Sequence, residues 1–139
     1  MSVLADHQGA WSGTNQLWFE DPDQAEESPG TLTVSENQVH ITWSFRGKPQ
    51  QGTCTLEEIE DSVSLHWQDS WHAADGLDFL GEAFADAVDV FASYPAGDGP
   101  DWGWRIVFDL ESPDRFLLRM YNITPDGDES IAVALEGSR

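Results

Sequence analysis

Turn-forming residues recur along this chain every ~8–12 residues, and no window between them carries a long helical period. Between the turns, apolar and polar residues alternate with the period of two that places successive side chains on opposite faces of a strand. This spacing predicts about ten consecutive strands, and the short connections predict that each strand pairs antiparallel with the next. The predicted strands cover residues 9–20, 29–35, 38–46, 50–59, 62–70, 77–84, 87–94, 102–110, 115–123 and 129–136.

The length of 139 residues predicts one domain spanning residues 1–139, and seven Trp and seven Phe provide enough apolar surface for a core. Antiparallel strands without a crossover helix either close or form a sandwich, and closure removes the exposed edges. A barrel of about ten strands is wider than its own side chains usually fill. We therefore predict an all-β, up-and-down antiparallel β-barrel with an internal cavity.

The chain is strongly acidic, with 26 Asp and Glu against six Lys and Arg and a formal charge of -20. Such a field repels nucleic acid and anionic membrane surfaces. The acidic residues are dispersed, which favours a solvated surface suited to a salty cytoplasm over a docking site for a cationic partner. The first residues lack a basic segment followed by an apolar run, and no stretch approaches the ~20 apolar residues of a membrane span, so we expect a cytoplasmic protein.

The last long hairpin turns at Ser112–Pro113, and its two arms alternate strictly. An even-length turn there places Trp104 opposite Tyr121 and Ile106 opposite Arg119 on one apolar face. An arginine in such company either stacks on a ring as a structural cation or anchors an anionic ligand inside the barrel. An odd-length turn would move Arg119 to the other face.

The same alternation predicts the inner faces of the other hairpins. It sets Val34 opposite Val39 and Leu56 opposite Leu65, and it places Trp43 and Trp67 inside. Together with Trp104, these tryptophans form either an ordinary core or a wall on which a flat ligand stacks. Cys54 faces Trp67 within a strand and is expected to be an inert buried thiol, since a single cysteine cannot form an internal disulfide.

One mid-chain group of ionisable residues invites a catalytic interpretation. His72, with Asp69 and Asp75 nearby, forms either an acid–base pair, half of a metal site, or simply a polar surface segment. No complete metal-ligand spacing, phosphate loop or nucleophile motif occurs, so we predict neither a metal nor a cofactor.

Gly9-Ala10-Trp11 resembles the Gly-x-Trp signature of the calycins, the superfamily of lipocalins, fatty-acid-binding proteins, avidins and nitrobindins. The later runs 99–106 and 120–127 are similar to a group of uncharacterised bacterial domains of this barrel type. The lipocalin resemblance implies structural roles for Gly9 and Trp11, with Arg139 or Arg119 stacked on that tryptophan. The spacing of Arg119 and Tyr121 resembles the carboxylate-binding pair of fatty-acid-binding proteins. Nitrobindins bind haem through a late histidine, and no histidine follows His72.

These observations favour a non-enzymatic binding protein over an enzyme. The predicted ligand is a small, partly apolar molecule whose polar or anionic end is held by Arg119 and Tyr121. Its apolar part would contact Trp43, Trp67 and Trp104, and His72 is a further candidate contact. Two alternatives stay open: a small hydrolase or isomerase using His72 with Asp69 or Asp75, and a module whose acidic surface docks a cationic protein.

Overall fold

The computed structural model describes residues 3–21, 23–60, 62–71 and 73–139, with only the backbone of Glu20. Its strands agree with the predicted bounds to within two residues, except that the second begins at Gln24 rather than at residue 29. A 3-10 helix over Ala5–His7 precedes them. The strands are β1 (Gly9–Asp21), β2 (Gln24–Val34), β3 (Gln38–Phe45), β4 (Lys48–Ile59), β5 (Ser62–Asp69), β6 (Leu77–Ala83), β7 (Ala87–Tyr94), β8 (Trp102–Asp109), β9 (Arg115–Ile123) and β10 (Glu129–Ser138).

The ten strands form a closed antiparallel barrel in which each strand pairs with its neighbours in sequence and β1 pairs with β10. This arrangement confirms the predicted up-and-down β-barrel. Closure gives every strand two partners, so the sheet has no open edge for pairing with another chain. Within the described part of the chain, no helix has the length and apolar character needed to cross a membrane.

Two predicted hairpin registers are confirmed. Val34 pairs with Val39 across β2 and β3, and Leu56 pairs with Leu65 across β4 and β5. Cys54 lies opposite Trp67 and is fully buried, so desolvation raises the pKa of its thiol above the usual value. The thiol therefore stays neutral and packs as a small apolar group.

The predicted register of β8 and β9 is wrong by one residue. Arg119 pairs with Val107, and Met120 takes the place opposite Ile106. Because side chains alternate along a strand, this shift moves Arg119 and Tyr121 to the outer face of the barrel. The cause is an odd-length connection, residues 110–114, in which Leu110 turns into the core and is 4% exposed.

Contacts with both chain ends hold this connection. The Nε2 atom of His7 lies 2.8 Å from the carbonyl oxygen of Ser112. The guanidinium of Arg139 donates through Nη2 to the carbonyl oxygen of Pro113 at 3.1 Å. These contacts join residues far apart in sequence, so local turn propensity does not determine the length of the connection.

Trp11 closes this end of the barrel. Its ring is 2% exposed, and its Nε1 donates to the carbonyl oxygen of His7 at 2.8 Å. The guanidinium carbon of Arg139 lies 4.4 Å from the ring centroid, so Arg139 rather than Arg119 is the late arginine stacked on this tryptophan. Gly9 has a φ of 126°, which a residue with a side chain rarely adopts. At Gly137, a Cβ would press against Leu32 and Trp11, so the close packing of the plug requires glycine there.

Candidate functional site

The barrel holds a cavity of about 770 Å³ between the Trp11 plug and the opposite, open end. Its wall includes Leu17, Leu118 and Leu135, and its rim includes residues 71 and 73–76 of the connection between β5 and β6. Small-molecule sites in proteins typically span ~300–1,000 Å³. The predicted cavity is therefore present, and its volume suits a small organic molecule.

Tryptophan side chains form much of the cavity wall. Trp43, Trp67 and Trp104 all line it, as the alternation predicts, and Trp71 joins them from the rim. The rings of Trp67 and Trp104 meet edge to face, with centroids 6.3 Å apart and planes at 73°. A Cβ at Gly52 would clash with the Trp67 indole, so a glycine on β4 is needed to let this ring lie against the wall.

Arg119 and Tyr121 do not line the cavity, which corrects their predicted position on its wall. The ring of Tyr121 lies 5.6 Å below the guanidinium carbon of Arg105 on the outer face. Arg105 in turn donates to the carboxylates of Asp89 and Glu129, and these bonds raise the pKa of its guanidinium. Arg119, which was expected to bind an anionic ligand, therefore lies on the outer face of the barrel.

Three neutral polar side chains face the cavity instead. Asn15, on the inner face of β1, is 2% exposed and makes no side-chain hydrogen bond to a described residue. Asn122, opposite Trp104 on β9, and Tyr94, at the end of β7, also line the cavity. Desolvation raises the pKa of the Tyr94 hydroxyl, so it stays protonated and able to donate at neutral pH.

Asp69 organises the rim. Its Oδ2 accepts a hydrogen bond from the Trp67 Nε1 at 2.6 Å, which fixes the indole against the wall. Its Oδ1 accepts from the backbone N–H groups of Trp71 at 2.7 Å and Ala73 at 3.1 Å, which shapes the β5–β6 connection. Asp75 lies on the same connection, lines the rim and is exposed. His72 lies outside the described residues, so its predicted pairing with either aspartate stays a prediction.

An aromatic cluster borders the open end. Phe19, Phe45 and Trp71 lie with ring centroids 4.9–5.8 Å apart. The Arg46 guanidinium covers two of these rings, with its carbon 4.9 Å from the Phe45 centroid, and pairs with Glu26 at 3.3 Å. This part of the border of the open end is therefore largely apolar.

The cavity is free of basic side chains among the residues that line it in the described part of the chain. The same part contains no group of three His, Cys, Asp or Glu side chains placed to hold a metal ion. The polar character of the site therefore rests on two amides, one phenol and two carboxylates.

Reasoning from sequence missed Asn15, Tyr94 and Asn122. A signal for Asn15 was present, because Trp11, Gly13, Asn15 and Leu17 occupy alternate positions on β1 and therefore share the inner face. A polar residue between inward apolar ones marks either a buried network or a binding site. Asn122 was not recognisable, since the wrong register assigned it to the outer face.

Comparison with known proteins identifies one matching family model. A family model described as "Protein of unknown function (DUF1579)" matches residues 2–139. No curated protein sequence matches the chain. A solved structure described as a redesigned β-barrel is similar, with 14% sequence identity and a TM-score of 0.44, over 99% of this chain and 94% of the other. A likeness at this TM-score carries no information about function.

Proposed function

The chain belongs to the DUF1579 family of proteins of unknown function, and on that premise we propose that it binds a small, largely apolar molecule inside the barrel. The observation that carries the proposal is the cavity of about 770 Å³, closed at one end by Trp11 and open at the other. Well-packed interiors rarely contain voids much larger than a water molecule. A cavity of this size that is reachable from outside and lined by aromatic side chains is typical of a small-molecule site.

The lining suits a molecule with an apolar body and a few hydrogen-bonding groups. Trp43, Trp67 and Trp104 offer flat surfaces for the body. Asn15 supplies a buried amide without a protein partner, and a buried polar group usually has one. This amide faces the cavity, so a bound ligand can hydrogen-bond to it.

The test uses the neutral fluorescent probe N-phenyl-1-naphthylamine and the Met120→Trp variant. Met120 faces the cavity, so a larger indole there removes part of its volume. We expect the wild-type protein to bind the probe and Met120→Trp to bind it about tenfold or more weakly, since tenfold corresponds to about 1.4 kcal/mol of lost contact. Titration of probe fluorescence measures both dissociation constants.

The matched control is Tyr121→Trp, which adds the same chromophore on the next residue but on the outer face. We expect its affinity to equal that of the wild type. If Met120→Trp does not fold by circular dichroism, Leu17→Phe narrows the cavity from the opposite strand. Absence of binding to the wild type, or equal loss in both tryptophan variants, would refute a ligand site inside the barrel.

A further inference from the structure

Resting on the proposed function, we infer that the cavity takes an organic cation, a molecule with an apolar body and a positively charged group, rather than an anion. Three features of the described residues carry this inference. They are the distribution of basic side chains, the aromatic and acidic lining of the cavity, and a buried amide without a protein partner.

None of the six Lys and Arg residues is among the described residues that line the cavity. Arg105 is paired with Asp89 and Glu129 on the outer face, and Arg115 is paired there with Glu136. Arg139 is stacked on the plug, and Arg46 lies over Phe19 and Phe45 at the open end, where it pairs with Glu26. The other two are Lys48 and Arg119. An anion moved from water into this cavity would lose its hydration without gaining a charged partner.

The described residues that line the cavity can attract a positively charged group, but they provide no positive partner for an anion. Positive groups are attracted to the faces of indole and phenol rings, and the cavity is lined by five tryptophans and Tyr94. Two carboxylates, Asp69 and Asp75, lie at the rim on or beside the β5–β6 connection. The net charge of -20 adds a field of the same sign around the opening.

Asn15 indicates independently that this space is used by a ligand. Its side chain is 2% exposed, lines the cavity and has no hydrogen-bond partner among the described residues. The amide can donate and accept, so it serves a neutral polar group at the inner end of the ligand, while the positive group lies toward the rim. The rim carboxylates then attract the positive charge of the ligand, and the Asn15 amide fixes the orientation of the ligand in the cavity.

The test is displacement of bound N-phenyl-1-naphthylamine at pH 7 by three molecules with one ring system: 2-naphthylmethylammonium, 2-naphthylmethanol and 2-naphthoate. We expect the ammonium compound to displace the probe at a concentration about threefold or more below that of the alcohol. The carboxylate should need about tenfold more than the alcohol, since it meets carboxylates in a poorly screened site. Equal displacement by ammonium and alcohol, or best displacement by the carboxylate, would overturn the inference.

A pair of charge-neutralising variants separates the local effect from the general field. Asp75→Asn removes a rim carboxylate that makes no hydrogen bond or ion pair with another described residue, and Asp114→Asn removes an exposed one on the β8–β9 connection at the plugged end. We expect Asp75→Asn to weaken the ammonium compound about threefold without affecting the alcohol, and Asp114→Asn to change neither. Equal weakening of ammonium binding in both variants would overturn the inference of a local cation site.

These outcomes are distinguishable from failure of the proposed function. If the neutral probe does not bind at all, the cavity is not a ligand site. If the probe binds and the three competitors do not differ, the cavity is a site but its charge preference is not as inferred. Repeating the series at about 1 M NaCl, where the Debye length is ~3 Å, suppresses the diffuse field and leaves the contacts inside the cavity.

Discussion

At the scale of single residues, Trp11 connects the two ends of the chain. Its indole is bonded to the His7 backbone, stacked on the His7 ring and covered by the guanidinium of Arg139. Arg139 also donates to the carbonyl oxygens of Gln8 and Asp6. The contacts of Arg139 join the first residues of the chain to the last, so the complete plug requires the closed barrel.

Replacement of Trp11 by alanine is therefore expected to lower the free energy of unfolding by ~3–5 kcal/mol, as for other large aromatic residues removed from a core. Urea denaturation followed by circular dichroism measures this loss. Phe91→Ala is the matched control, because Phe91 is also a large aromatic residue but is 47% exposed on the outer face. A loss below about 1 kcal/mol for Trp11→Ala would mean that Trp11 is peripheral to the fold.

Asn15 is a residue at which fold stability and the proposed binding are linked. An amide on the inner face of a barrel is less favourable than an apolar side chain of similar size unless solvent or a ligand pairs with it. Asn15 nevertheless occupies an inward position between Trp11 and Leu17 on β1. A destabilising polar group in a core is typical of a site where function competes with stability.

At the scale of strands, the β8–β9 hairpin determines which residues face the cavity. Met120 and Arg119 are neighbours, but Met120 is 4% exposed in the core and Arg119 is half-buried on the outer face. We expect Met120→Ala to lower the free energy of unfolding by ~2–5 kcal/mol and Arg119→Ala by only about 0.5 kcal/mol. Chemical denaturation of the two variants measures the difference. A larger loss of stability for Arg119→Ala than for Met120→Ala would indicate instead that the turn has an even length and that Arg119 lies in the interior.

The sequence predicted this hairpin's strands but not its register, and the reason is physical. The β2–β3 register follows from a short turn around Glu36 and Asn37, whose local preferences fix the pairing of Val34 with Val39. The β8–β9 connection depends instead on burial of Leu110 and on contacts from His7 and Arg139. Those contacts exist only in the folded barrel.

The same distinction explains the candidate site. Trp43, Trp67 and Trp104 were predicted on the inner face because alternation within a strand is a local property. The role of Asp69 was not predicted, because its partners are the Trp67 side chain and backbone N–H groups of the β5–β6 connection. Its nearby histidine suggested acid–base chemistry, whereas the described contacts of Asp69 organise the rim.

At the scale of the whole molecule, closure of the barrel favours the folded state, whereas the high negative charge opposes it. Closure of ten strands produces a stable sheet around a cavity. The formal charge of -20 is concentrated on a surface with few cations, and several of those are already paired with carboxylates. Net charge far from zero keeps proteins apart in solution but destabilises the compact state by self-repulsion.

Salt is therefore expected to stabilise this protein. Raising NaCl from about 0.1 M to 1 M shortens the Debye length from ~10 Å to ~3 Å, which screens repulsion between carboxylates on neighbouring strands and turns. We expect the melting temperature to rise by several degrees, measured by differential scanning calorimetry. A variant with Asp98, Asp101, Asp126 and Asp128 replaced by Asn, all exposed positions in connections, should show a higher melting temperature at low salt and a smaller increase with salt. A melting temperature that stays constant with NaCl in the unmodified chain would instead indicate that bound cations already neutralise the acidic residues.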